Sequence, residues 1–294
     1  MIKRSALLTF TIVFFPALLL YVSTAAPSLT WAHDGVDGGD LITAAFTNGV
    51  PHPPGYPTYV TLGQLIARLP LGDVAYRFNL FSAVCMALAA AFTALSIAAF
   101  VTRWSIAIIA SLFFATAPMV WGQATIAEVH ALNACFVTLI MYLIAPIVFR
   151  RESLSLGRLT LAAGLWGVAF GNSITVAALT PLLIVAWWRH PRRSLWPILA
   201  LLLGLSLYAL IPLRAVQQPP INWGNATSLD RFIALITAEM YRGYALGATP
   251  AELFTRLIAL AQLIVMQYGW LGVSLGAVGV YHALISSNKN WRWL

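Results

Sequence analysis

Eight stretches of this chain are apolar enough to be read as helical membrane crossings, and that pattern limits the fold before any motif is considered. They cover residues 5–24, 75–101, 104–121, 127–149, 157–171, 173–188, 195–213 and 257–285. A hydrocarbon layer about 30 Å thick takes about 20 apolar residues as a helix, and backbone polar groups inside it must be paired within the structure. With 60% hydrophobic and 9% charged residues, the 294-residue chain carries too much apolar surface for one water-soluble core. A soluble enzyme, a disordered chain and a disulfide scaffold are thereby excluded. The expected fold is all-α, a polytopic transmembrane helical bundle of about eight spans with helical outer loops, forming one integral membrane domain over residues 1–294.

Charge sets the expected topology. The fifth and sixth stretches are short and read as a hairpin broken at Gly171-Asn172-Ser173. Arg150, Arg151 and Arg158 precede the pair, and Arg189, Arg192 and Arg193 follow it. Basic flanks mark the cytoplasmic side, so both ends belong there and two crossings are required. With eight spans, both termini are cytoplasmic, and Lys3, Arg4, Arg103, those six arginines, Lys289 and Arg292 place 11 of 17 cations on that side. Of the nine acids, only Glu152 joins them; Asp34, Asp37, Asp40, Asp73, Glu128, Asp230, Glu239 and Glu252 fall outside. The net charge of +8 contains no basic run interleaved with aromatics, so no nucleic-acid partner is expected. Cys85 and Cys135 lie inside apolar runs and read as packing residues. Residues 5–24 read as an uncleaved first span, the alternative being a signal peptide cut after Ala25.

Two long outer loops remain, residues 25–74 and 214–256. The first places Asp34, Asp37 and Asp40 among glycines, where carboxylates accept protons or hold a cation such as Mg or Mn. The spacing is not that of an EF-hand. Asp40 is equally suited to cap a helix starting at Leu41; no helix start needs Asp37, which favours a chemical role. His52-Pro53-Pro54-Gly55-Tyr56-Pro57 is a rigid turn, and His52 either binds phosphate, tunes a carboxylate or is structural. Residues 58–69 alternate as a helix lying in the outer interface, and Arg77 and Asn79 open the second span as polar groups facing a cavity or partner. Glu128 and His130 are expected at the outer mouth of the fourth span, where Glu128 either serves chemistry or favours a helix N-terminus. In the second loop Arg214 is suited to a phosphate through two parallel hydrogen bonds, or to snorkelling. Trp223-Gly224-Asn225 makes a turn, Asn225-Ala226-Thr227 matches a glycosylation sequon, and Ser228 or Asp230 can cap the amphipathic stretch that follows.

Three segments taken together resemble the O-mannosyltransferase-like membrane proteins of the GT-C glycosyltransferase superfamily. They are DGVDGGDLITAA…HPPGYP…RFNLFSA, WGQATIAEVHALNACF and IPLRAVQQPPINWGNATSLDRF, in order from about residue 30 to 245. The resemblance implies a GT-C-like enzyme at the outer face, in a bacterial plasma membrane or an ER membrane. It would move a hexose such as mannose from a polyprenyl-phosphate donor to a protein or glycan hydroxyl. The family commonly has D-x-G-E/D where this chain has Asp37-Gly38-Gly39-Asp40, which leaves open the aspartate in the family's role. Superfamily members often carry a soluble domain after the membrane part, whereas this sequence stops at Trp293-Leu294, as a minimal version or a truncation would.

The expected chemistry is inverting transfer. Asp37 is the base, Asp40 supports it or a divalent ion, and Glu128 orients the acceptor or metal. Arg214 holds the leaving phosphate, with His52, Arg77, His130, Trp223 and Asn225 completing the substrate site. The competing readings are a lipid or solute transporter, which would bury ionisable groups mid-span, and a noncatalytic membrane assembly subunit.

Overall fold

A computed structural model describes residues 4–101, 103–149, 155–190, 194–243 and 247–286. The expected positions of Lys3, Arg150, Arg151, Glu152, Arg192, Arg193, Lys289 and Arg292 lie outside the described residues, as does the side chain of Arg4. Thirteen α-helices are described: α1 Arg4–Thr24, α2 Gly38–Phe46, α3 Pro57–Ile66, α4 Val74–Ala98, α5 Trp104–Ala115, α6 Pro118–Ala124, α7 Val129–Phe149, α8 Leu156–Phe170, α9 Thr180–Arg189, α10 Trp196–Leu205, α11 Leu210–Ala215, α12 Leu229–Ile236 and α13 Pro250–Ser286. No strand is present among the described residues; one isolated parallel bridge joins Val50 to Asn222.

All eight apolar stretches are helical, but fewer than eight have full crossing length. Ser5–Thr24, Val74–Ala98, Val129–Val148, Trp196–Ala215 and Pro250–His282 are long and apolar enough, and α5 with α6, bent by 70°, has the length for a sixth as either a broken span or a re-entrant loop. The single span expected over 104–121 breaks because Pro118 cannot donate to the preceding turn and leaves Ala117 extended at φ −61°, ψ 133°. Residues 157–171 and 173–188 form the expected pair, broken after Phe170, yet each falls below 18 residues. The second opens as a 3-10 turn, Ile174–Leu179, before α9. Helix α13 starts earlier than expected and is interrupted at Gly269.

Helix α4 is the centre of the bundle, flanked by α1 and α7. Its alanines at 83, 87, 89, 90, 91 and 94 are buried, and such small side chains let neighbouring helices approach closely without hydrophobic drive from water. Helices α8 and α10 meet more tightly still. A Cβ at Gly167 would overlap the carbonyl oxygen of Leu201, so Gly167→Val should push the helices apart. The expected loss is about 1–3 kcal/mol, read as an earlier unfolding transition in detergent than for the surface change Gly157→Val, where a Cβ meets nothing within 4 Å.

Charged groups mark both ends of this bundle. Arg158 donates to the Tyr142 carbonyl, Arg189 donates to those of Ile147 and Val148, and Arg103 precedes α5 at the same end. Because Arg158 and Arg189 both reach the last turns of α7, α8 and the helix after it return to one end, as the hairpin reading requires. The other end holds Asp73, whose carboxylate caps α4 by accepting from Tyr76 N at 2.7 Å, together with Asp37, Asp40 and Glu128. There the first loop is sewn down: Asn79 donates to the carbonyls of Ala26 and Ser28, Ala26 N to Thr125 O, and Thr58 N to Gly171 O. Helix α3 forms within the amphipathic stretch 58–69 and buries one face, leaving Leu65 and Leu69 exposed. Thr58, Tyr59 and Val60 are buried where α3 meets α2, α4 and α8, because this layer covers the helix ends.

Candidate active site at the acidic end

Helix α2 begins at Gly38, three residues before the position expected. Asp40 therefore sits inside the first helical turn and Asp37 at its N-cap, where its side chain makes no capping bond. Gly38 allows this start to press against α7's approach: a Cβ there would meet the Ala127 carbonyl oxygen at 2.9 Å. Next door, Asp37 N donates to Glu128 Oε1 at 3.1 Å. The carboxylate of Asp37 is left 45% exposed beside His52 Nε2 at 3.5 Å, available to a substrate and near the positive end of a helix.

Both oxygens of Asp40 are engaged by nitrogen donors. Oδ2 accepts from the backbone N of His52 at 2.9 Å and from its Nδ1 at 2.8 Å, while Oδ1 accepts from Trp223 Nε1 at 3.1 Å. Burial works to raise the Asp40 pKa, but these bonds outweigh it and hold the carboxyl below its usual value. His52 arrives here through the Pro53-Pro54-Gly55-Tyr56 turn, in which Gly55 has φ +88°, a conformation that favours glycine. Burial favours neutral His52, but its bond to Asp40 and the charges of Asp37, Asp40 and Glu128 win and raise its pKa. Tyr56 stacks edge-on at 5.0 Å from the His52 ring, with Trp223 at 6.4 Å on another side.

Glu128 lies just ahead of α7, 2% exposed. Desolvation dominates and its carboxyl is pushed up to about 7. Relative to the ordinary 4.5, the folded chain binds more protons than the unfolded one between about 4.5 and about 7, so this group's contribution to stability falls as pH rises through that window. Glu128→Gln keeps an acceptor for Asp37 N and removes the titration. Thermal denaturation from pH 5 to pH 8 should show a flatter decline for the variant than for the wild type.

Arg214, at the end of α11, is 4% exposed. Its Nε donates to Asn48 Oδ1 at 3.0 Å and its Nη2 to Thr61 Oγ1 at 2.8 Å, and Gln64 Nε2 donates to the same Asn48 oxygen. No carboxylate pairs with Arg214 among the described residues. These neutral partners had no charge or motif to announce them in the sequence. The turn carrying Asn48 continues into Val50, whose N donates to Ile221 O at 2.9 Å and whose O accepts from Trp223 N at 3.0 Å. The two long loops are thus joined, which brings Trp223 to Asp40 across 183 positions.

Three other expected site residues stand apart. Arg77 gives its guanidinium to the carbonyls of Ala67, Leu71 and Gly72, fixing the α3–α4 turn instead of facing the carboxylates. Asn225 accepts from Gln218 and Asn222 and shapes the second-loop turn at φ +41°. His130 is exposed at the mouth of α7, within electrostatic reach of Asp37 but in no bond to it among those described. Neither Ser228 nor Asp230 makes a side-chain cap on α12. A divalent ion on Asp37 and Asp40 does not suit this donor set, because Asp40 has both oxygens committed to N–H groups, and no metal-holding group of three His, Cys, Asp or Glu exists among the described residues.

Residues 37–196 match the family described as Protein O-mannosyl-transferase TMEM260 N-terminal domain. The chain is 25% identical over 318 aligned residues to "Protein O-mannosyl-transferase tmem260" of Dictyostelium discoideum, covering 99% of this chain and 38% of the relative. It is 30% identical over 272 residues to "Protein O-mannosyl-transferase TMEM260" of Mus musculus, covering 88% of this chain and 38% of the relative. The chain thus spans less than half the length of these relatives. No solved structure matches.

Proposed function

This chain belongs to the TMEM260 protein O-mannosyl-transferase family, and from that premise we propose that its acidic end transfers mannose from a polyprenyl-phosphate donor to a protein hydroxyl, on the outer side of the membrane. The single observation that carries the donor assignment is Arg214. A guanidinium buried with no carboxylate paired to it among the described residues invites an anion, because an isolated buried charge is costly. Its position at the end of a membrane-crossing segment suits a phosphate whose hydrocarbon tail remains in lipid.

In this reading the acceptor hydroxyl attacks the anomeric carbon while the sugar–phosphate bond breaks on the opposite face. Asp37, partly exposed and uncapped, takes the hydroxyl proton. Arg214 stabilises the charge gathering on the departing phosphate. Glu128 holds the Asp37 backbone in place, and Asp40 anchors His52 and Trp223 instead of acting as a second base. The test is saturable binding of a short-chain polyprenyl-phosphate mannose to the protein in lipid nanodiscs, with bare polyprenyl phosphate as competitor. Competition supports the phosphate site; absence of saturable binding overturns it.

A further inference from the structure

Asp40, His52 and Asp37 form a chain of contacts whose order sets each member's role, and the inference rests on the proposed transfer. Asp40 Oδ2 takes both the backbone N–H and the Nδ1–H of His52, and Trp223 fixes its other oxygen. The imidazole is therefore held from behind by its Nδ1 bond to an Asp40 carboxylate that is itself fixed by the His52 backbone N–H and Trp223, with its remaining nitrogen, Nε2, facing Asp37 Oδ2 at 3.5 Å. We infer that Asp40 and His52 are positioning residues for Asp37: Asp40 selects the Nδ1–H tautomer, and His52 Nε2 receives from Asp37 the proton taken from the acceptor hydroxyl.

The step balances without another reactant. The oxygen–carbon bond to the acceptor forms, and the carbon–oxygen bond to phosphate breaks, its electron pair leaving with the phosphate. The proton passes from hydroxyl to Asp37 and on to Nε2, which resets the carboxylate. An imidazole whose Nδ1–H is anchored by a carboxylate is oriented to accept at the opposite nitrogen. The groups facing His52 favour its protonated form: Asp37 and Asp40 from the start of α2, and Glu128 from the approach to α7. Tyr56 closes the fourth side, with Tyr241 of the second loop within electrostatic reach of it. Only neutral His52 can accept, so transfer should rise with pH along a limb set by this imidazole, displaced above the ordinary histidine range.

Two measurements test this. In transfer assays across pH, His52→Gln should lower kcat about 10²-fold and lose the limb, with donor KM unchanged. Asp40→Asn should keep the limb but move it to lower pH. A structural role alone would lower kcat without touching the limb, which would overturn the inference while leaving the function standing if wild type transfers sugar. Imidazole 15N NMR of the protein in nanodiscs, with the signal assigned through His52→Gln, reads the same geometry without activity. The expected result is an Nδ1-protonated neutral form whose titration drops in both Asp40→Asn and Asp37→Asn. An Nε2-protonated neutral form, or a titration indifferent to both changes, overturns the relay.

Discussion

Asp37→Asn should reduce mannose transfer by about 10²–10⁴-fold, the range for removing a general base, with donor binding close to that of the wild type. The side chain is partly exposed and makes no capping bond, so its amide analogue disturbs little of the fold. Asp37 N donates to Glu128 through the backbone and survives the change. The Asp34→Asn variant provides the contrast. It alters a neighbouring acid that the site does not use, and should transfer at the wild-type rate. Single-turnover transfer to a Ser/Thr peptide, with retention on gel filtration as the fold control, distinguishes lost chemistry from lost protein. Equal activity in Asp37→Asn would remove Asp37 as the base.

Arg214→Ala should act at a different step. Removing the guanidinium withdraws a fixed donor from the leaving phosphate, for which loss of a single such contact typically costs about 10²–10³-fold. The effect should fall on donor kcat/KM, and competition by bare polyprenyl phosphate should weaken in parallel. Asn48 and Thr61 each lose one hydrogen bond in the alanine variant and a buried side chain is removed, so stability also drops and a second substitution is needed. Arg214→Lys keeps the charge but not the two-pronged geometry. It should fold, bind the competitor more weakly than wild type, and transfer at an intermediate rate. Wild-type competition in both variants would place the phosphate elsewhere.

What the sequence revealed and what it concealed have different physical origins. The helices of the bundle were legible because lipid demands long apolar runs, and the hairpin was legible because arginines flank both ends of residues 157–188. The bend between α5 and α6 was not, since residues 104–121 read as continuous apolar chain and the single signal was Pro118. Asp37, Asp40, His52 and Glu128 could be nominated because charge is rare here. Their order around His52 could not, because it depends on a helix start three residues early and on Trp223 arriving from a distant loop. Arg77 shows the opposite failure. It looked available because it is charged near a membrane boundary, yet backbone carbonyls of the adjacent turn take its donors. The neutral partners of Arg214 were invisible for want of charge, although they decide how that cation is held.

The central claim is that the acidic end takes its sugar from a lipid phosphate. The most direct measurement offers purified protein two labelled donors in parallel, polyprenyl-phosphate mannose and a nucleotide-linked mannose, with a Ser/Thr peptide as acceptor in nanodiscs. The account predicts labelled peptide from the lipid donor and none from the nucleotide donor. Transfer from the nucleotide donor with the lipid donor inert would contradict it.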